Sequence, residues 1–266
     1  MSADEALEIR RVALSDHETE IAIAGRGDRT LMLLHAVGLS WRMWREAMLA
    51  LPPGTRAVAC DLRGHGVAAT TPPTTLDRHA DDVRDLLDTL GLPRADVVGL
   101  SYGGAVAEHV ALRHPERVAS LGLVATFSRA RPEIFLDRAR VAETVGIGAQ
   151  IGETLTRWFS PAELEENGAA VRWVRERLNA NRVENWAGAW RALAGLDVHD
   201  LLGTIRVPAT VVAGAHDTSA TAEMMRGIAD ALPDATFDVI AEGHHMLSLE
   251  QPEQLARLLA ANAGRA

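Results

Sequence analysis

Cysteine occurs once in this chain, at Cys60. A single thiol excludes an intrachain disulfide framework and a CxxC metal site, and Cys60 reads as a space-filler at the end of a buried strand. Positive charge is also short. The 27 basic residues face 36 acidic ones, for a formal charge of −9, which argues against nucleic-acid binding through a basic surface. No apolar run approaches the ~20 residues of a membrane-spanning helix. Met1-Ser2-Ala3-Asp4-Glu5 is acidic rather than basic-then-apolar, so no secretory signal is expected and the protein is expected to be cytoplasmic, without a membrane partner. Repeats and low-complexity tracts are missing too, apart from a short tail after Asn262. What remains is a chain of 266 residues with 47% hydrophobic and 24% charged content. That suffices for one large core or two modest ones, and it is not the composition of a disordered chain.

Short apolar runs alternate with amphipathic ones. Leu7 to Ala24 alternates weakly and breaks at Ser15-Asp16-His17, a hairpin pattern. Leu31 to Leu34 is a continuous apolar run of the kind buried on both faces. A helical pattern from Trp41 to Leu51 stops at Pro52-Pro53-Gly54. Arg56 to Cys60 is the next strand, and Thr75 to Leu90 is an amphipathic helix stopped by Gly91. Asp96 to Gly99 and Val118 to Val124 are further strands, with a small-residue helix between them. This rhythm predicts a mostly parallel sheet with helices on both faces.

From about Phe127 to His199 only helices are expected. They include Pro132 to Val145, a segment leading into Arg157-Trp158-Phe159, a capping-box start at Ser160-Pro161-Ala162-Glu163, and one with Trp186 and Trp190 a turn apart. This stretch is too small to bury its apolar faces except against the main body. It reads as an inserted helical cap, residues 127–199, on a core of residues 1–126 and 200–266. The α/β rhythm resumes with Ala209 to Gly214, a helix from Thr221 to Leu232, the strand Thr236 to Ile240 and a last helix from Pro252 to Leu259.

One stretch organises the rest: Asp96-Val97-Val98-Gly99-Leu100-Ser101-Tyr102-Gly103-Gly104-Ala105. A β-branched run ends in Gly-x-Ser-x-Gly-Gly, and a helical pattern begins at once. At this chain's glycine and serine content, Gly-x-Ser-x-Gly would arise about 0.06 times in a shuffled sequence, so the pattern draws its force from its place between strand and helix. Glycines at positions 99 and 103 let the two elements approach while Ser101 is held with its hydroxyl presented. The bland alternative is a tightly packed turn. A serine nucleophile needs a base and a group to orient that base, and in open α/β sheets such groups gather at the carboxyl ends of strands. Asp217 follows the strand ending at Gly214, and His244 and His245 follow the one ending near Ile240. Asp200 and Glu242 are less well-placed rivals for the acid.

The order Ser…Asp…His is that of the α/β-hydrolase triad, and the chain resembles that superfamily over nearly its whole length. The resemblance is carried by His35-Ala36-Val37-Gly38, Asp61-Leu62-Arg63-Gly64-His65-Gly66, Gly99-Leu100-Ser101-Tyr102-Gly103-Gly104, Val207-Pro208, Ala213-Gly214-Ala215-His216-Asp217, and Gly243-His244-His245 with Glu250-Gln251-Pro252. It implies a doubly wound eight-stranded sheet. Met43-Trp44 and Arg157-Trp158-Phe159 are further similar to 3-oxoadipate enol-lactonases. The chain departs from the usual pattern at Ala36, at Ala68 and in lacking a proline soon after Asp217; no catalytic group is lost.

The resemblance implies a serine hydrolase with Ser101, Asp217 and His245 as its triad, acting on a small-molecule ester or lactone through an acyl-enzyme, with no metal and no cofactor. The family places glycine just before the base, which favours His244, and proline seven residues after it, which favours His245. The proline criterion is preferred because the helix at Pro252 hangs the loop, and His244 stays as the alternative. The oxyanion hole is expected from the backbone N–H groups of Val37 and Tyr102. His35, His65 and Arg63 read as loop staples. Arg157, Trp158 and Trp186 are candidate substrate contacts, Arg157 being preferred over Arg172 and Arg182 as the partner of the carboxylate that an enol-lactone-like substrate implies. The same triad and cap also serve carbon–carbon bond hydrolysis and cofactor-free lyase or cyclase chemistry, and the fold also serves non-catalytic small-molecule receptors. Oligomeric state is not legible.

Overall fold

The computed structural model describes residues 7–263. The acidic N-terminal residues read above and the end of the tail lie outside the described residues. Eight strands form one sheet: β1 (Leu7–Ala13), β2 (Glu18–Ala24), β3 (Thr30–Leu34), β4 (Arg56–Cys60), β5 (Ala95–Leu100), β6 (Val118–Val124), β7 (Ala209–Gly214) and β8 (Ala235–Ile240). Their order is β1-β2-β4-β3-β5-β6-β7-β8. β2 is antiparallel to both neighbours, and all pairs from β4 to β8 are parallel. β3, β5, β6 and β7 are buried at every position, which is why they read as unbroken apolar runs. The outer strands β1 and β8 are partly exposed.

The helices are α1 (Arg45–Leu49), α2 (Leu76–Thr89), α3 (Tyr102–Arg113), α4 (Pro132–Thr144), α5 (Gly148–Trp158), α6 (Pro161–Glu166), α7 (Ala169–Asn179), α8 (Val183–Ala194), α9 (Ala222–Ala231), α10 (Leu247–Glu250) and α11 (Pro252–Ala263). They flank a doubly wound sheet, α2 packing on α3 and α1 on α11. From β3 the chain passes to β4 on one side and then to β5 on the other. That reversal opens a crevice at the carboxyl ends of β3 and β5, where the loop from His35 faces Ser101.

Helices α4 to α8 lie between β6 and β7 in the chain. α4 packs along α8, with buried Phe135, Ala139 and Ala142 on one and Trp186, Ala189 and Trp190 on the other. Arg191 closes the pair by donating to both carboxylate oxygens of Glu143, at 2.7 and 2.6 Å. At α6 the capping box is complete: Ser160 Oγ accepts from the Glu163 N–H at 3.1 Å and the Ser160 N–H donates to Glu163 Oε2 at 2.8 Å.

Two elements differ from the sequence reading. The helix expected over Trp41–Leu51 is split into a 3₁₀ turn, Trp41–Trp44, followed by α1. Its first turn is pinned from outside, since the Trp41 N–H donates to Asp61 Oδ1 at 3.0 Å and its indole N–H to Glu20 Oε1 at 2.8 Å. The last helix runs past Leu259 to Ala263, where Asn262 Nδ2 donates to the Leu121 carbonyl at 3.1 Å and ties the end of α11 to β6. Among the described residues no helix is long and apolar enough to cross a membrane.

Candidate active site

Ser101 stands between β5 and α3 with φ 54° and ψ −113°, a conformation that L-residues adopt only when their surroundings impose it. The imposition is visible. The Ser101 N–H donates to the Val124 carbonyl at 3.0 Å, and Thr126 Oγ1 donates to the Ser101 carbonyl at 2.7 Å. A Cβ on Gly99 would lie 2.0 Å from the Gly103 carbonyl oxygen, and one on Gly103 would lie 2.1 Å from that of Leu34. Both clashes are with backbone, so α3 could not sit this close to β3 and β5 with any other residue there. Gly103→Ala is therefore expected to cost roughly 1–3 kcal/mol or more, the range for forced overpacking; urea unfolding of the purified variant measures it, and an unchanged midpoint would contradict the contact.

The carboxyl ends of β7 and β8 bring the other two groups in. Ser101 Oγ lies 3.0 Å from His245 Nε2, and His245 Nδ1 lies 2.7 Å from Asp217 Oδ2. With Nδ1 protonated toward the carboxylate, Nε2 is free to accept from the serine hydroxyl. The other Asp217 oxygen, Oδ1, accepts from the N–H groups of Ser219 at 2.7 Å and Ala220 at 3.0 Å. The Asp217 carboxylate is thus held in one orientation by its own turn. His245 is fixed from a second direction, its N–H donating to the Trp158 carbonyl at 3.3 Å and its ring stacked on the Trp158 indole.

His244 turns away. Its Nδ1 lies 3.2 Å from Glu250 Oε1, and its ring packs against His216. Burial, and next the Glu163 charge, push the Glu250 carboxyl up to about 8. Asp200 pairs with Arg129 at 2.7 Å on the exterior, and Glu242 is exposed, so neither competes with Asp217.

His35 Nδ1 donates to the Ala36 carbonyl at 2.8 Å, and its Nε2 accepts from the Leu62 N–H at 2.9 Å, tying the loop after β3 to the loop after β4. Burial holds the His35 imidazole well below its usual range, so it is neutral, as a staple that both donates and accepts must be. His65 donates to the Arg63 carbonyl at 3.0 Å. Arg63 is clasped by Asp82 and Asp16 at 2.7 Å each. The Val37 and Tyr102 N–H groups have no protein acceptor among the described residues. The Tyr102 hydroxyl is occupied elsewhere, donating to His79 Nε2 at 2.9 Å in the core.

Above Ser101 and His245 lies a cavity of about 330 Å³, walled by Val37, Phe135, Trp158 and Trp190. Arg157 and Trp158 line it, as the sequence suggests, but Trp186 does not. Its ring lies so close to Gly38 that a Cβ there would come within 2.4 Å of it, and Trp190, one turn on, takes the place at the wall. Arg172 and Arg182 are occupied outside, by the Asn167 carbonyl and by Glu184. Arg138 was not foreseen. It sits on α4 one turn after Phe135 and reaches the cavity with Arg157; no sequence signal separates it from the exposed arginines around it.

The chain matches the family model described as alpha/beta hydrolase fold over residues 29–252. It is 29% identical over 236 residues to a 3-oxoadipate enol-lactonase of Acinetobacter baylyi, covering 87% of this chain and 88% of that one. It is 32% identical to a pimeloyl-[acyl-carrier protein] methyl ester esterase of Chromobacterium violaceum, covering 89% and 94%. Among solved structures it superposes on the enol-lactonase from Burkholderia xenovorans with a TM-score of 0.90 at 28% identity, covering 96% of this chain and all of that one. The chain belongs to the α/β-hydrolase fold family, as a hydrolase related to the enol-lactonases.

Proposed function

We propose that this hydrolase cleaves a small carboxylic ester or lactone through an acyl-enzyme on Ser101. The observation that carries this reading is the unbroken relay from Ser101 Oγ through the His245 ring to Asp217, set at the floor of the cavity. In the first step His245 Nε2 takes the hydroxyl proton as Oγ bonds to the carbonyl carbon, and Asp217 stabilises the imidazolium that forms. The charge that develops on the carbonyl oxygen is met by the N–H groups of Val37 and Tyr102. The imidazolium then gives its proton to the leaving alkoxide, which in a lactone stays tethered to the acyl group. Water, deprotonated by the same nitrogen, releases the acid and restores the serine.

The helices from 127 to 199 act as a cap that closes this site over the core of 1–126 and 200–266. Support for a lactone or ester comes from the relatives, one acting on an enol-lactone and one on a methyl ester. The reading is tested by treating the protein with a fluorophosphonate and locating the adduct by mass spectrometry. One phosphonyl group per chain on Ser101 is expected. A protein that stays unmodified, or is modified elsewhere, is a binding module of this fold rather than a serine hydrolase.

A further inference from the structure

We propose that Glu163, His244 and Glu250 form a binding site for a zinc-class divalent cation, which ties α6 to the loop that carries His245. None of the three lines the cavity above Ser101. The inference goes beyond the proposed hydrolysis and does not depend on Ser101 being the nucleophile.

The three side chains come from separate places in the chain. Glu163 lies in α6, Glu250 ends α10, and His244 stands in the loop after β8. One donor atom from each lies within 4.8 Å of the other two. His244 Nδ1 and Glu250 Oε1 are 3.2 Å apart. Tetrahedral donors bonded to zinc at about 2.0–2.2 Å stand about 3.4 Å from one another, so this pair is already at ligand spacing. Glu163 is half-buried. Its Oε2 accepts from the Ser160 N–H at 2.8 Å and from Ser160 Oγ at 2.7 Å, which leaves Oε1 to pivot toward the other two donors.

The carrying observation is Glu250. Its side chain is 3% exposed, yet neither carboxylate oxygen accepts a hydrogen bond among the described residues, and His244 Nδ1 makes none. The N–H groups of His244 and Met246 lie near enough to favour the carboxylate without bonding to it. Buried polar groups are nearly always satisfied, and a carboxylate buried in this way is costly until a cation or a proton reaches it. A second cluster shows what satisfaction looks like. Asp16, His17 and Asp82 also bring their donor atoms within 4.8 Å of one another. There Arg63 sits among them, 2.7 Å from each carboxylate, so that cluster already contains its cation. At Glu163 and Glu250 two carboxylates face an imidazole, and neither is paired with an arginine among the described residues. One divalent ion cancels both charges, and the chain's formal charge of −9 favours a cation over an anion. Imidazole beside carboxylate suits zinc and its neighbours, whereas magnesium and calcium take oxygen ligands. Neutral His244 offers the Nδ1 lone pair with its proton on Nε2, and water completes the four-coordinate set.

The test titrates zinc chloride into tag-free, chelator-treated protein by calorimetry, with magnesium and calcium chloride in parallel. One equivalent of zinc is expected to bind, about tenfold or more tightly than either of the other ions. Glu163→Gln and Glu250→Gln are each expected to weaken zinc about tenfold or more, since even indirect partners of a bound metal contribute that much. Glutamine serves the capping box as glutamate does, so α6 is kept in Glu163→Gln and that variant decides the matter if Glu250→Gln does not fold. Zinc is also expected to raise the urea midpoint of the wild type but not of Glu163→Gln, and to slow amide exchange in both 160–166 and 244–250. Zinc that binds the wild type and both variants equally sits elsewhere, which overturns the proposal. So does a wild-type protein that takes no zinc, its Glu250 then being satisfied by a proton, or one that binds calcium as tightly. Slowed exchange in only one of the two segments overturns it as well, because the ion then ties nothing together.

Discussion

Ser101→Ala is expected to abolish ester and lactone hydrolysis, lowering kcat by roughly 10⁴-fold or more, or about 5 kcal/mol of transition-state stabilisation. The size of the loss follows from how Ser101 is placed. Its hydroxyl makes one side-chain hydrogen bond, to His245, and it is 5% exposed at the elbow between β5 and α3. A water replacing it could be activated by His245, but it could not form the covalent intermediate. The fold should survive. Alanine at φ 54° is no more strained than serine, the backbone bonds to Val124 and Thr126 do not involve the hydroxyl, and His245 keeps its bonds to Asp217 and the Trp158 carbonyl. The measurement is turnover of an aryl acetate beside the thermal unfolding midpoint. A variant with a native midpoint that retains more than about a tenth of wild-type turnover would falsify the acyl-enzyme mechanism.

Much of the fold was legible because parallel strands buried on both faces must be apolar at successive positions, and β3, β5, β6 and β7 are. The capping box at Ser160 was legible because its partners are three residues apart. Asp217 and the histidine pair could be placed because strand ends show in sequence even when their neighbours in space do not. Residues whose role depends on the rotation of one helix against another were not legible. Trp186 and Trp190 are a turn apart on α8, their rings edge to face at 5.4 Å. Which of them meets the cavity depends on how α8 lies on α4 and on the glycine at position 38 that admits Trp186. Arg138 is hidden for the same reason, being one of the three arginines Arg131, Arg138 and Arg140. The split at Trp41 depends on a carboxylate twenty residues away, Asp61. Local pattern carries none of this.

His245→Ala is expected to cost roughly 10²–10⁴-fold in kcat, the contribution of a positioned general base, whereas His244→Ala should cost less than about tenfold. The two residues are adjacent, and sequence criteria divide between them. Glycine precedes His244, and proline follows His245 by seven residues. The physical difference is direction. His245 points inward, 2% exposed, between Ser101 Oγ and Asp217 Oδ2. His244 has a side chain 21% exposed that faces Glu250 and His216. The chain reaches this arrangement by a tight passage at Gly214, where a Cβ would lie 2.2 Å from the His244 carbonyl oxygen. That contact locks the backbone of the loop, so the side chains can differ without the loop moving. Removing the His244 imidazole leaves the Glu250 carboxyl without its neighbour, but burial raises that group to about 8, so at neutral pH it is mostly uncharged and no bare buried anion results. The loss at His244 should therefore be a modest one of packing, seen equally in KM and stability. Loss at His245 should fall on kcat, with fluorophosphonate labelling slowed in proportion, because labelling needs the same proton transfer; the unfolding midpoint should fall as well, since Asp217 Oδ2, in a side chain with no exposure, loses its partner. Comparable kcat losses in the two variants, or a larger one at His244, would move the base to His244 and remove the relay on which the proposed mechanism stands.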